Sequence, residues 1–178
     1  MLIYGEKIVL RAVEESDNRM LLSLINDPDT EMMLGGSSWP VSEAEQLRWF
    51  EKQEQRRDVL RCIIALKEEG TAIGTLILSD IDTKNGTAQI HIKMSKDDGR
   101  GKGYGTDAVR TIVKYAFHEL RLNCIYAQIL SYNAVSVRLF EKCGFKRDGV
   151  LRARVFKGGN FVDMFEYSIL QSDCGTVS

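Results

Sequence analysis

Proline is nearly missing from this chain: there are 2 in 178 residues, Pro28 and Pro40, both in the first quarter. No Pro-rich linker, low-complexity run or internal repeat divides it, so residues 1–171 read as a single domain and 172–178 as a flexible tail of small and polar residues. Long apolar runs are missing too. No stretch approaches the roughly 18 apolar residues that cross a bilayer, and the start, MLIYGEKIVL, has no basic region leading into an apolar one. The chain is therefore expected to be cytoplasmic, with neither a signal peptide nor a membrane contact. The 4 cysteines, Cys62, Cys124, Cys143 and Cys174, form no CxxC pair, and the 2 histidines, His91 and His118, add no ligand cluster. This spacing predicts no metal site, and Cys62 and Cys124 read as buried thiols in strands. Charge excess is missing as well: 24 basic residues face 25 acidic ones, for a net charge of -1. Nucleic-acid binding, which rests on a basic surplus, is not expected.

What is present is ordinary globular material, 44% hydrophobic and long enough to bury one core. Residues 7–12 (KIVLRA) predict a first strand. Ser16 is placed as the N-cap of a first helix carrying Met20, Leu21, Leu24 and Ile25, which stops before Pro28. Residues 27–40 read as loop. Ser42 and Glu45 form a capping box that opens a second helix reaching about Arg56. Residues 60–67, 71–80 and 87–94 read as strands of an antiparallel meander, the last two joined by an Asn85-Gly86 turn of type I′. Ile90, Ile92 and Met94 alternate with Gln89, His91 and Lys93.

A third helix spans about 105–120, with Val109, Ile112, Val113, Ala116 and Leu120 as its apolar stripe. Residues 124–130 (CIYAQIL) read as a fully buried strand. Residues 133–143 read as a short helix closed by Gly144, and 145–156 with 161–170 as a hairpin across Lys157-Gly158-Gly159-Asn160. The expected fold is α/β of the α+β kind: a mixed, mostly antiparallel sheet of seven strands with four helices, and one strand–loop–helix–strand unit at its centre.

The sharpest feature is Arg100-Gly101-Lys102-Gly103-Tyr104-Gly105, between a strand and a helix. Alternate glycines let the backbone turn and approach a ligand without Cβ interference. The following helix points its free N–H groups at the loop. Arg100 and Lys102 add positive charge, so the segment reads as a pyrophosphate cradle, against the reading of a solvated glycine-rich turn. A nucleotide-triphosphate loop requires Ser or Thr after the lysine, and Gly103 stands there. A dinucleotide fingerprint requires a third glycine where Thr106 or Tyr104 stands. The strand end at Leu130, Ser131 and Tyr132 also offers no acid for a ribose.

The remaining pattern, Arg-x-x-Gly-x-Gly, resembles the coenzyme A loop of the GCN5-related N-acetyltransferase (GNAT) family. Residues 7–17 (KIVLRAVEESD) are similar to that family's first strand and helix entry, and residues 133–145 (NAVSVRLFEKCGF) to its second signature. Within the family the chain is most similar to the branch of ribosomal-protein N-terminal and spermidine acetyltransferases. The resemblance implies a central coenzyme A unit and acetyl transfer from acetyl-coenzyme A to a primary amine, by direct attack in a ternary complex. It further implies that backbone groups of Gly101, Lys102, Gly103, Tyr104, Gly105 and Thr106, with Arg100, hold the pyrophosphate. Lys93 and Met94 would pair with the pantetheine arm. Asn133, otherwise an N-cap, would hydrogen-bond it, and Lys142 of the second signature joins the cofactor set.

A neutral amine must be generated before it can attack, which calls for a positioned base, and the departing thiolate benefits from an acid. The chain departs from the family pattern at both positions. Phe140 stands where many relatives carry an acidic Tyr, and Gln89 where many carry a Glu. Gln89 can orient water, and His91, two residues along on the same strand face, is the candidate base, against the reading of a half-buried strand histidine. His118 reads as a solvent-facing helix residue. Glu166 and Tyr167 point to opposite faces, so one of the two could reach the cleft. Asp29 and Glu31, with Asp27, are candidates for attracting the amine. Trp39, Trp49 and Phe50 read as core or rim packing. The acceptor could be a polyamine, an amino acid, an antibiotic or a protein N-terminus, and the protein a monomer or homodimer. The competing functions are a non-catalytic acyl-coenzyme A sensor, kept open by Phe140 and Gln89, and a structural interaction domain that binds no coenzyme A.

Overall fold

The computed structural model describes residues 1–35, 39–53, 58–95 and 101–174. Strands β1 (Ile3–Tyr4) and β2 (Ile8–Arg11) lead into helices α1 (Asn18–Ile25), α2 (Pro28–Met32) and α3 (Glu43–Gln53). The meander of β3 (Leu60–Leu66), β4 (Ala72–Asp82) and β5 (Thr87–Met94) follows. Then come α4 (Tyr104–His118), β6 (Cys124–Leu130), α5 (Ala134–Lys142), β7 (Lys146–Lys157) and β8 (Asn160–Leu170). These strands make one sheet in the order β1-β2-β3-β4-β5-β6-β8-β7. Among the described residues, only the β5–β6 pair is parallel.

Among the described residues there are thus eight strands and five α-helices, one of each beyond expectation. Strand β1 is two residues long, too short to show alternation. Helix α2 lies inside the stretch read as loop: Pro28 takes its first turn, where a missing N–H costs nothing, and the Asp27 carboxylate accepts from Thr30 N at 3.0 Å. Ser16 is not a cap. A 3-10 turn over Glu15–Asp17 precedes α1, and Glu14 N donates to Asp17 Oδ2 at 2.8 Å. The Ser42–Glu45 box is present, with Ser42 N donating to Glu45 Oε2 at 2.9 Å. The end of α3 near Arg56 lies outside the described residues. The Asn85-Gly86 turn is not type I′, because only Gly86 has positive φ (68°). The Asp82 carboxylate instead accepts from the N–H groups of Lys84 and Asn85, each at 2.9 Å, building a wider turn. Gly158 and Gly159, at φ 55° and 84°, do close the β7–β8 hairpin in two residues. Past β8, a 3-10 turn over Gln171–Cys174 occupies part of the expected tail, and Asp173 accepts from Leu170 N at 3.0 Å.

The period of two along the strands divides the sheet into two buried faces. On one face Ile8, Leu10, Cys62, Ile64, Leu76, Leu78 and Ile90 pack against Val109, Ile112, Val113 and Ala116 of α4 and Phe140 of α5. On the other, Val9, Ile63 and Ala65 meet Leu21 of α1 and Trp49 of α3. Strand β6 is not fully buried: Ile125, Ala127 and Ile129 face α4, whereas Gln128 is exposed and Cys124 half-buried. Burial pushes the Cys62 thiol up to about 11, which keeps it an inert core group.

Two carboxylates fasten the N-terminal strands to this frame. Asp107, in the first turn of α4, accepts from Lys7 N at 2.7 Å and Ile8 N at 3.1 Å. The side chain comes so close that a Cβ on Gly5 would stand 2.8 Å from its oxygens. Asp17 is 4% exposed and takes both guanidinium arms of Arg11, at 2.7 and 2.8 Å.

Candidate active site

Strands β5 and β6 pair only at their beginnings, Thr87 with Cys124, Ala88 with Ile125 and Gln89 with Tyr126. Beyond Gln89 they separate. Backbone groups of residues 90–94 that point toward β6 therefore have no ladder partner there. A backbone left this way in a cleft is a template for an extended ligand carrying amides. The opening continues into a cavity of about 610 Å³ that passes from one sheet face to the other. Ile90, Ile92, Ile129 and Phe140 line it on the α4 side, and Arg61, Ser79, Gln89, His91 and Lys93 on the α1–α3 side. The segment around Met33, Leu34 and Gly35 borders it as well.

The N-terminus of α4 stands at the mouth of this split. A Cβ on Gly105 would lie 3.7 Å from Leu139 of α5 and 3.9 Å from Ile92 of β5. Gly101 and Gly103 have φ of 78° and 84°, a backbone favoured by glycine, and Gly103 is the N-cap. The first intrahelical donor is Asp107 N, to Gly103 O at 3.0 Å. The N–H groups of Tyr104, Gly105 and Thr106 precede it and form the positive end of the helix dipole. A Cβ on Gly101 would meet no described residue within 4 Å, which leaves its outward side open to a ligand. These features fit a pyrophosphate. Arg100 lies outside the described residues. Lys142 does not line the central cleft. It borders an outer groove of about 690 Å³ with Gly103, Thr106 and Arg110, and its carbonyl accepts from Arg110 Nη2 at 3.0 Å.

Asn133 caps α5, its Oδ1 accepting from Ser136 N at 3.1 Å. Its Nδ2 donates to Met33 O at 2.9 Å, tying the segment after α2 to the cleft wall. Any ligand must therefore share this amide with two existing bonds. Phe140 is 3% exposed and meets Phe145 edge-on, centroids 4.9 Å apart. It borders the cleft as an apolar wall with no proton to give. Tyr167 is buried on the α4 side, donating to Glu141 Oε1 at 3.0 Å, and Glu166 lies beside Gln128.

The candidate base is set into a short relay that the sequence did not reveal. Asp80 sits at positive φ (51°) in a β4 bulge, where the register with β5 shifts between Ser79 and Asp82. Ser79 Oγ donates to Asp80 Oδ2 at 3.2 Å and lies 2.9 Å from His91 Nε2. A hydroxyl has one proton. Once it is given to the carboxylate, Oγ accepts from Nε2–H and Nδ1 is left as the basic nitrogen. Burial lowers the His91 pKa, Asp80 pulls it up, and Arg61 and Lys93 push it down; the balance falls below the ordinary value. The imidazole is thus neutral near pH 7, the form a base requires. No signal in the sequence could have found Ser79 and Asp80, because their position depends on the β4–β5 register.

The acidic candidates fare differently. Glu31 lines the cleft, but its carboxylate is ion-paired with the buried Lys157. Asp29, in the first turn of α2, is exposed and is not among the cleft residues. Trp39 is not packed at all, being 79% exposed. Trp49 does pack, with the Arg61 guanidinium carbon 4.8 Å from its ring centroid. His118 is exposed on α4, as its place late in the helix implied.

Residues 7–146 match the model of the acetyltransferase (GNAT) domain. The chain is 28% identical to the N-acetyltransferase p20 of Bacillus licheniformis over 173 residues, covering 96% of this chain and 97% of the relative. It is 26% identical to the spermidine N(1)-acetyltransferase of Vibrio cholerae over 168 residues, 94% and 95% of the two chains. Among solved structures, a spermidine N-acetyltransferase from Vibrio cholerae in complex with CoA and spermine superposes with a TM-score of 0.88. It shares 25% identity and covers 95% of this chain and 98% of that one.

Proposed function

The chain belongs to the GNAT family of acyl-coenzyme A-dependent N-acetyltransferases, and we propose that it moves an acetyl group from acetyl-coenzyme A to a primary amine by direct attack in a ternary complex. The observation that carries this reading is the split between β5 and β6, with the α4 N-terminus at its mouth and the His91–Ser79–Asp80 relay on its far side.

The cofactor, when bound, supplies an acetyl thioester whose thiolate is a tolerable leaving group. The chain's own residues do the rest. The N–H groups of residues 101–106 and the helix dipole hold the pyrophosphate. Free backbone groups of β5 around Lys93 and Met94 pair with the pantetheine arm, and the spare N–H of Asn133 adds to them. On the other sheet face His91 Nδ1 takes a proton from the amine through water, and Gln89 orients that water. Ser79 and Asp80 keep the tautomer correct, as a carboxylate behind a catalytic histidine does elsewhere. Phe140 supplies no acid, so the thiolate leaves unprotonated or is protonated by water. Apolar walls at Ile90, Ile92 and Ile129 exclude bulk solvent from the thioester.

The spermidine N(1)-acetyltransferase among the relatives supports an amine as acceptor. The test is an amine panel with acetyl-coenzyme A and detection of free thiol. Amine-dependent thiol release is expected, and none with any amine would overturn the reading.

A further inference from the structure

Resting on the transfer reading above, we infer that Lys157 and Tyr132 are positioning residues for the acceptor: they hold the end of α2 so that Met33, Leu34 and Gly35 stand as the acceptor's wall of the cleft.

Helix α2 has 5 residues, too few to be stable by itself, and its last carbonyls fall outside a complete helical ladder. Three in succession accept from side chains 100 or more positions away. The Glu31 carbonyl accepts from Lys157 Nζ at 3.2 Å, the Met32 carbonyl from Tyr132 Oη, and the Met33 carbonyl from Asn133 Nδ2 at 2.9 Å. Lys157 Nζ also reaches the Glu31 carboxylate. Lys157 ends β7, and Tyr132 and Asn133 lie between β6 and α5. The tip of the β7–β8 hairpin abuts the same turn, since a Cβ on Gly158 would stand 3.5 Å from Met32 Cε.

The segment held in this way borders the chemistry. Met33, Leu34 and Gly35 line the same cleft as His91. The cofactor enters from the α4 end, so the acceptor meets His91 from the α1–α3 side, beside that segment. Lys157 is 5% exposed, and neither it nor Tyr132 lines the cleft. Both therefore act through the end of α2 and not on the acceptor itself. Taking an ammonium out of water is costly, and a buried ion pair adds little net stability. What the Lys157–Glu31 pair secures is a single arrangement of the turn against the hairpin. Without it the wall shifts. The acceptor then loses contacts made equally in the ground state and the transition state, which raises KM and spares kcat. Asn133 belongs to the proposed cofactor site as well, so it is left out of the test.

The experiment compares wild type with Lys157→Met, with Lys157→Met combined with Glu31→Gln, which leaves no stranded carboxylate, and with Tyr132→Phe. A panel of amines from propylamine to spermidine is assayed by thiol release at saturating acetyl-coenzyme A. Acceptor KM is expected to rise about tenfold in the Lys157 variants and about threefold in Tyr132→Phe, with kcat within about twofold of wild type. The ratio of kcat/KM between the best and the poorest amine used should fall toward one, because the wall discriminates between them. Thermal shift with acetyl-coenzyme A should be unchanged, which shows that the variants are folded and loaded. Tyr132 is exposed and loses only a hydroxyl, so Tyr132→Phe decides the matter if the Lys157 variants do not fold. Wild-type KM and amine ratio in every folded variant would overturn this inference and leave the transfer reading standing. A fall in kcat alone, the mark of a smaller active fraction, would also overturn it. No transfer to any amine by the wild-type protein would overturn both.

Discussion

Ser79 Oγ and His91 Nε2 face each other at 2.9 Å across the β4–β5 ladder, from positions that are not directly paired in its register. The bulge at Asp80 delivers the third member of the relay. If His91 collects the amine proton, His91→Ala should lower turnover by roughly 10²–10⁴-fold with cofactor affinity unchanged. Ser79→Ala should cost less, since it removes orientation and not the base. The sign of the pH dependence follows from the depressed His91 pKa. The base is protonated, and activity lost, only below the ordinary histidine value of about 6.5. The amine itself becomes more reactive as pH rises, so the His91→Ala deficit should shrink at high pH. Steady-state rates across roughly pH 6 to 9 decide the matter. Wild-type rates in His91→Ala throughout that range would make His91 a packing residue.

Gly103→Val should abolish coenzyme A binding while leaving a folded domain. At φ 84° a branched residue is strained, costing about 1–2 kcal/mol, and its side chain enters the space in front of the α4 N–H groups. Among the described residues no atom blocks the new Cβ, the nearest, Lys7 Nζ, being 3.9 Å away. The fold therefore survives the change. Wild-type protein at a hundredfold excess of acetyl-coenzyme A over Kd should gain about 2.7 kcal/mol, or roughly 5–11 °C in Tm. Gly103→Val should gain nothing in the same melt. Retained stabilisation would reduce the loop to a simple turn.

The parts of the fold legible from sequence were those written in local chemistry. Gly101, Gly103 and Gly105 announced the loop, Ser42 and Glu45 the start of α3, and Gly144 the end of α5. Charge pairing across the fold was not legible. Glu31 looked like a free acid beside a substrate, but it is held by Lys157, 126 positions away. The relay at Asp80 depends on a bulge, and a bulge changes register without a residue signature of its own. Cys124 was misplaced because an apolar run such as CIYAQIL does not reveal that one sheet face is open at Gln128.

Phe140→Tyr tests the missing acid. The ring borders the cleft but is 3% exposed and is held by Phe145, so the added hydroxyl has two destinations. Directed into the cleft, it supplies a phenol near the departing sulfur, and turnover is preserved or raised with Tm close to wild type. Directed into the core, it is an unpartnered donor costing about 1–3 kcal/mol. The expected outcome is the first, read as kcat and Tm measured on the same preparation. A Tm loss of several degrees together with reduced kcat would show that Phe140 is purely a core residue.

Asp17→Asn should be among the more destabilising single changes outside the cleft. Asp17 is 4% exposed and accepts both guanidinium arms of Arg11 as well as the Glu14 N–H. Burial alone would raise its pKa. The hydrogen bonds from Arg11 and Glu14 and the Arg11 charge outweigh it and hold the carboxyl below its ordinary value. A depressed folded pKa stabilises the native state at every pH above the unfolded value of about 3.9, and that contribution disappears as pH falls through the folded value. The amide keeps the shape but loses the charge and one acceptor, leaving Arg11 half-buried without its partner. The expected cost at neutral pH is about 3 kcal/mol, or roughly 6–12 °C in Tm. Below about pH 4 the two proteins should begin to converge, because the unfolded wild-type chain then takes up a proton at Asp17, and the difference is lost as pH falls through the lower folded value. The double variant Arg11→Met with Asp17→Leu separates pairing from burial. Replacing a desolvated pair by apolar groups avoids the stranded charge, so the double variant should melt above Asp17→Asn. Equal melting of the two would mean that the Glu14 turn, not the ion pair, is what Asp17 secures.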